Sequence, residues 1–233
     1  VQAAEMMELL KDHPQIILND RLKRPNYPGD YKTPEGRIPK PEDVEGVYWE
    51  TCMNIGSSWG YKSWEHKWKS SDDILRTIIT IAARGGNLLL NVGPDHLGNI
   101  PQQAQDCLSE VGAWMSRYGS FLYGSQRSNL HPAWGEVVRK DNDRTSVYYL
   151  CIYKWPEDGK LCLDADIVAK KACFLPDGSN LKFSSKKGRT IITLPSQPQD
   201  MHFPVIELTL SKKLPQVKLV SNTQQFFNIV DEK

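Results

Sequence analysis

In the first half of the chain, apolar positions alternate between two kinds of spacing. Leu75, Ile78, Ile79 and Ala82 recur at helical spacing over Ser71 to Ala83. Ala104, Cys107, Leu108, Val111, Trp114 and Met115 form a second stripe over Pro101 to Tyr118. Met6, Met7, Leu9 and Leu10 fall on or near one face of a third helix. Among these lie short apolar runs, Gln15 to Asn19, Tyr48 to Met53 and Asn87 to Val92, that read as strands. The last sits between Gly85-Gly86 and Gly93-Pro94, and its unbroken leucines predict a strand buried on both faces. Pro101 suits the first turn of its helix and Gly119 the C′ position. Helix and strand alternating in this way build a parallel sheet within a layer of helices, with the chemistry in loops at the carboxyl ends of the strands.

From about Glu136 the period changes to two. Val147 to Tyr153 is rich in aromatic and β-branched residues. Later segments are short and separated by Glu157-Asp158-Gly159, Pro176-Asp177-Gly178 and Lys187-Gly188. Turns about every ten residues between short strands predict an antiparallel β-sandwich. The expected fold is therefore α/β, part of a (β/α)8-like barrel over residues 1–126, then a β-sandwich over 136–212 and a polar tail over 213–233. The junction is expected across Arg127 to Gly135.

A net charge of +1 gives no electrostatic case for nucleic acid or an anionic membrane as partner. No apolar run approaches the roughly 20 residues that cross a bilayer. Val1 to Met7 lacks the basic start and apolar core of a signal peptide and reads as the inside of a helix, so the chain is expected to be a piece of something longer. The five cysteines have no CxxC spacing, which argues against zinc. Buried thiols are the simpler expectation, with a bridge among Cys151, Cys162 and Cys173 as the alternative.

Candidate chemistry concentrates in two places. The connection from Asp20 to Gly46 lacks apolar periodicity, is rich in proline, and holds Arg21, Asp30 and Glu35. An irregular loop of this length is expected to be functional or disordered. A carboxyl held on it over a barrel mouth suits general acid catalysis. The second place is Trp49, Glu50, Trp59, Tyr61, Trp64 and Trp68, aromatics suited either to stacking on a sugar ring or to packing a loop on the barrel wall. Glu50 offers a second catalytic carboxyl or a buried orienting group. His66 and His96 lack metal-ligand spacing and read as surface residues, and Lys186-Lys187 with Arg189 as a solvated hairpin tip.

Trp49-Glu50-Thr51-Cys52-Met53, Ser58-Trp59-Gly60-Tyr61, Gly85 to Pro94, Gly98-x-Ile100-Pro101, Gly112-x-Trp114 and Leu122-Tyr123-Gly124 occur in this order. Together they resemble the α-L-fucosidases of glycoside hydrolase family 29. The resemblance implies a retaining exo-glycosidase that releases terminal α-L-fucose from fucosylated oligosaccharides or glycoconjugates without metal or organic cofactor. It makes Glu35, in Asp30-Tyr31-Lys32-Thr33-Pro34-Glu35, the general acid/base, with Glu50 as the fallback. It makes Arg21 and Trp59 contacts to the sugar, and Asn87 and Asn91 structural. It places the nucleophilic Asp upstream of this chain, in the missing N-terminal half of the barrel. On that basis this polypeptide alone is expected to be inactive, with exposed strand edges. The resemblance further implies a periplasmic or extracellular location in a bacterium, or a lysosomal one in an animal. Another barrel glycosidase, or a non-catalytic carbohydrate-binding or scaffold protein, is the alternative reading.

Overall fold

The structure, a computed structural model, describes residues 2–22, 29–175, 177–186, 188–196, 202–215 and 219. Two compact units divide it, one built mainly on Val1–Asn54 with Gly86–Asn91, the other on Ile55–Gly85 with Val92–Gln216.

The first unit contains α1 (Gln2–Leu10) and a parallel three-stranded sheet in the order β1 (Tyr31–Lys32), β2 (Tyr48–Asn54), β3 (Asn87–Asn91). Two expectations change here. Gln15 to Asn19 does not form a strand; only an isolated parallel bridge from Asn19 to Tyr31 remains. The stretch from Asp20 to Gly46 is not without regular structure, because β1 and a 3-10 turn, Pro41–Val44, lie inside it. Two residues cannot display a period of two, so β1 left no trace in the hydrophobic pattern.

Along β2, Trp49, Thr51 and Met53 are buried while Glu50, Cys52 and Asn54 on the opposite face are half-buried. Parallel pairing sets Leu89 beside Cys52, and Leu89 is 56% exposed. The strand expected to be buried on both faces therefore has an open face. Continuous leucines permit double burial, but only a second packed layer produces it. Trp49 explains one glycine of the Gly85-Gly86 pair. A Cβ on Gly86 would fall 2.2 Å from the indole, so only a bare α-carbon lets the ring close against the strand start. Gly85, at φ +72°, supplies the turn.

The second unit contains α2 (Ser71–Ala83) and α3 (Gln102–Tyr118). Ser70 and Asp73 form a reciprocal capping box at the start of α2. Two antiparallel sheets follow. One has the order β4 (Gln126–Arg127), β5 (Gly135–Asp141), β6 (Ser146–Ile152), β11 (Val205–Leu210), β8 (Ala169–Phe174); the other runs β7 (Lys160–Asp164), β10 (Arg189–Thr193), β9 (Phe183–Lys186). Their facing residues, among them Leu150, Leu161, Ile192 and Leu208, share one core, which makes the pair a sandwich. The other face of the larger sheet receives the helices. Phe121 stacks on Tyr149 at 4.8 Å between ring centres, and the Tyr153 hydroxyl meets Thr80 Oγ1 at 3.1 Å. Burial pushes the Tyr149 phenol up to about 12.

Arg127, expected in the junction, is buried in β4. Gly119 ends α3 in the right-handed region, at φ −67°, so it is not the left-handed C′ residue expected. A Cβ there would meet the far end of the flexible Met115 side chain at 2.8 Å. Gly159, Gly178 and Gly188 do take positive φ in the predicted turns, while Pro176 and Lys187 lie outside the described residues. All five cysteines are free, so no bridge joins Cys151, Cys162 and Cys173. Burial raises the Cys151 thiol well above its ordinary pKa, which keeps it an inert core group. Of the tail, Leu214 is tied to Ser146 and Arg139; residues 216–218 and 220–233 lie outside the described residues.

Two glycine-to-alanine changes are expected to have opposite signs in urea unfolding. Gly86→Ala should cost about 1–3 kcal/mol by forcing Trp49 aside. Gly112→Ala, in α3 with nothing near the added methyl, should gain roughly 0.5–1 kcal/mol. Equal effects would show that the Trp49 ring yields freely.

Candidate active site

Two strand-end segments of the first unit are zipped together before any charged group is placed. Asp30 N–H donates to the Leu18 carbonyl, and the Asp30 carboxylate accepts from Leu18 N–H at 2.8 Å. Gly29, at φ +66°, lies so close to Asn19 that a Cβ would stand 2.4 Å from its carbonyl carbon. Asp30, a candidate by composition, is therefore occupied in holding backbone.

The closure places Arg21 over the residues that follow β1. Its three guanidinium nitrogens each have a different partner. Nε donates to Thr33 Oγ1 at 3.0 Å, one terminal nitrogen meets Glu35 Oε2 at 3.0 Å, and the other donates to Cys52 Sγ at 3.3 Å. The backbone N–H of Arg21 donates to Asn19 Oδ1 at 2.9 Å. Thr33, only 6% exposed, donates its hydroxyl to Asp20 Oδ1, which also accepts the Thr33 backbone N–H at 3.1 Å.

Glu35 is fixed by strand register. It forms a parallel bridge with Cys52, with Gly36 N–H donating to the Cys52 carbonyl at 2.9 Å and Cys52 N–H to the Pro34 carbonyl at 3.4 Å. The offset of β1 from β2 is the same at Tyr31–Tyr48 as at Glu35–Cys52, so Glu35 continues the strand. Arg21 and Glu35 are each a little under half exposed. An ion pair so wet contributes at most about 1 kcal/mol to stability. The hydrogen bond that Arg21 donates to Glu35 raises the Arg21 pKa above its ordinary value, and the cation is permanent. A carboxylate gripped at a strand end, beside a fixed guanidinium, is equipped to exchange a proton with a bound ligand.

The other sequence candidates fall elsewhere. Glu50 lies on β2, two residues before Cys52 on the same half-buried face, and is not among the groups holding Arg21. Trp49 is core, not a sugar platform. Trp59, Tyr61 and Trp64 are exposed on a loop of the second unit. That loop is stapled by Glu65, which accepts Ser57 N–H at 2.8 Å, the Ser57 hydroxyl at 2.6 Å and Lys67 N–H at 2.8 Å. Gly93 backs it, since a Cβ there would stand 2.8 Å from Tyr61 N. His66 and His96 are exposed, and no cluster of metal-ligating side chains occurs among the described residues. Thr33, Asp20 and Glu65 were invisible to sequence reasoning. Each acts through a hydrogen bond spanning an irregular loop, where spacing carries no period.

Beside Arg21 opens a groove of about 490 Å³ lined mainly by Met6, Leu9, Leu10, Ile17 and Leu22.

A parallel sheet bearing a carboxylate at a strand end, on a chain that continues into a β-sandwich, is of the α/β class with an appended all-β part. Comparison with known proteins makes the class particular. The alpha-L-fucosidase family model matches residues 1–120. The tissue alpha-L-fucosidase of Homo sapiens is 30% identical over 195 residues, covering 79% of this chain and 41% of that protein. The alpha-L-fucosidase of Dictyostelium discoideum is 29% identical, covering 76% and 37%. Among solved structures, alpha-L-fucosidase isoenzyme 1 from Paenibacillus thiaminolyticus superposes with a TM-score of 0.79 at 29% identity, over 91% of this chain and 54% of that one. A GH29 alpha-L-fucosidase from Bacteroides thetaiotaomicron, trapped as a covalent intermediate with 2-fluoro-fucosyl fluoride in a Glu→Gln mutant, gives 0.79 at 25% identity, over 89% and 52%. The chain belongs to the α-L-fucosidase family. It spans about half the length of the relatives it matches, or somewhat less.

The Glu65 staple carries a pH signature. Its hydrogen bonds from Ser57 hold the carboxyl at about 2, below its ordinary 4.5, so the anchorage is whole above pH 4.5 and lost as pH falls through about 2. The Ser57 amide resonance is expected to titrate with a midpoint near 2 and to stop titrating in Glu65→Gln. A midpoint near 4.5 would mean the loop is not held this way.

Proposed function

We propose that this chain is the acid/base-bearing part of a retaining α-L-fucosidase, and that a complementary barrel segment supplies the nucleophile. The observation that carries the reading is the Arg21–Glu35 pair, at 3.0 Å on strand-end segments that match the family. In the first step the nucleophilic carboxylate attacks the anomeric carbon of fucose. The bond to the leaving oxygen breaks, and that oxygen takes the proton of Glu35. In the second step the Glu35 carboxylate takes a proton from water, whose oxygen attacks the same carbon and frees the nucleophile. Two inversions give net retention. The covalent intermediate trapped in the Bacteroides enzyme by a Glu→Gln change supports this division of labour. Arg21 keeps one hydrogen on each terminal nitrogen for a sugar hydroxyl. Trp59 is the aromatic contact by motif, supported by its exposure on a stapled loop. The complement also has a physical place to dock. Met6, Leu9 and Ile17 are exposed around the groove beside Arg21, and the relatives are about twice as long as this chain.

The test uses the chain joined to the upstream barrel segment of its own reading frame. Glu35→Gln should lower kcat/KM by on the order of 10²–10⁴ for fucosides with poor leaving groups and far less for dinitrophenyl fucoside. Azide should restore turnover and yield fucosyl azide of retained configuration. If Glu50→Gln shows that signature and Glu35→Gln does not, the roles are reversed. Separately, the 233-residue chain alone should release no nitrophenol from 4-nitrophenyl α-L-fucoside. Turnover by it that Glu35→Gln abolishes would place a nucleophile within this chain.

A further inference from the structure

We propose that Thr33 and Asp20 are positioning residues that aim Arg21 at Glu35. The inference rests on the acid/base reading of Glu35. The argument is one of hydrogen count. Arg21 Nε only donates, and an ionised Asp20 carboxylate only accepts. Thr33 Oγ1 lies within hydrogen-bond distance of both and has a single proton. That proton must point to Asp20, which turns a hydroxyl lone pair toward Arg21. No other hydroxyl orientation satisfies both neighbours, so the threonine acts as a one-way adapter between an anion and a cation.

The adapter is itself immobilised. Asp20 accepts the backbone N–H as well as the hydroxyl of Thr33, and Thr33 is buried. Arg21 is long and flexible, and its contact with Glu35 is half-wet; neither would fix the guanidinium plane alone. Nε lies at the root of that plane, and anchoring it leaves little rotation for the terminal nitrogen that meets Glu35. Asp20 and Arg21 are adjacent in sequence, as are the members of Thr33-Pro34-Glu35, so the relay stitches both short segments with side chains from each.

Thr33→Val keeps shape and the backbone bond to Asp20 while deleting the adapter; Thr33→Ser keeps it. In the complete enzyme, Thr33→Val should lower kcat/KM for alkyl fucosides by on the order of 10-fold or more, a fraction of the general-acid contribution. Dinitrophenyl fucoside, which needs no protonation to depart, should be hydrolysed at nearly the parent rate. Thr33→Ser should match the parent on both. Parent-like behaviour of Thr33→Val, or a loss equal across leaving groups, overturns the relay. Should Glu35→Gln itself show no leaving-group dependence, the acid/base reading falls and the relay with it. A normal Glu35→Gln signature beside an indifferent Thr33→Val removes the relay alone.

Discussion

A guanidinium on a three-carbon stem goes where its acceptors hold it, and the geometry of the candidate site in the first unit depends on where Arg21 is held. Its acceptors are a hydroxyl from the segment after β1, a carboxylate two residues further on, and a thiol on β2. These come from two strands, so the site exists only if the strands keep their register. A slip of one residue would turn Glu35 and Cys52 to the opposite face of the sheet. The backbone bonds around Pro34, Gly36 and Cys52 resist that slip. The Leu18–Asp30 zipper then brings Arg21 to them.

Two glycines of the stretch from Gly85 to Pro94 each permit a close approach within their own unit. Gly86 is bare so that the Trp49 ring can close on the sheet of the first unit. Gly93 is bare so that the Trp59 loop can lie against it within the second unit. Glu65 then staples that loop through Ser57 and Lys67. Glycines that read in sequence as the breakers bounding a strand are a pair of close approaches in space.

Long elements with many apolar residues were legible in the sequence. Both helices of the second unit and the strand around Val147 to Tyr153 appear where their periods put them, because burial of a stripe or a face leaves a repeating record. Elements held by one or two specific bonds were not legible. β1 is two residues long and paired through its backbone, and the relay through Thr33 is a hydroxyl between two charges thirteen and twelve residues away. Leu89 failed for a different reason: its sequence says it can be buried, while its exposure depends on what else is packed there. Arg21 and Glu35 were assigned their roles by resemblance to a family; neither residue's spacing alone distinguishes it from a solvated loop charge.

The exposure of the pair limits what it can do in this chain. Near water, two charges a few ångströms apart are screened to about 1 kcal/mol, whereas at an effective dielectric near 20 the same geometry gives about 4 kcal/mol. The Arg21–Glu35 contact lies on the wet side of that range, and the face of β2 and β3 beside it, with Cys52 and Leu89, is open. Covering that face would strengthen the grip on Glu35 without moving an atom of it. The same covering would exclude the water that competes for hydrogen bonds to both groups. Register and the Thr33 contact therefore set the geometry of the Arg21–Glu35 pair, while its strength depends on how far water is kept from it, so positioning and strength are separable here.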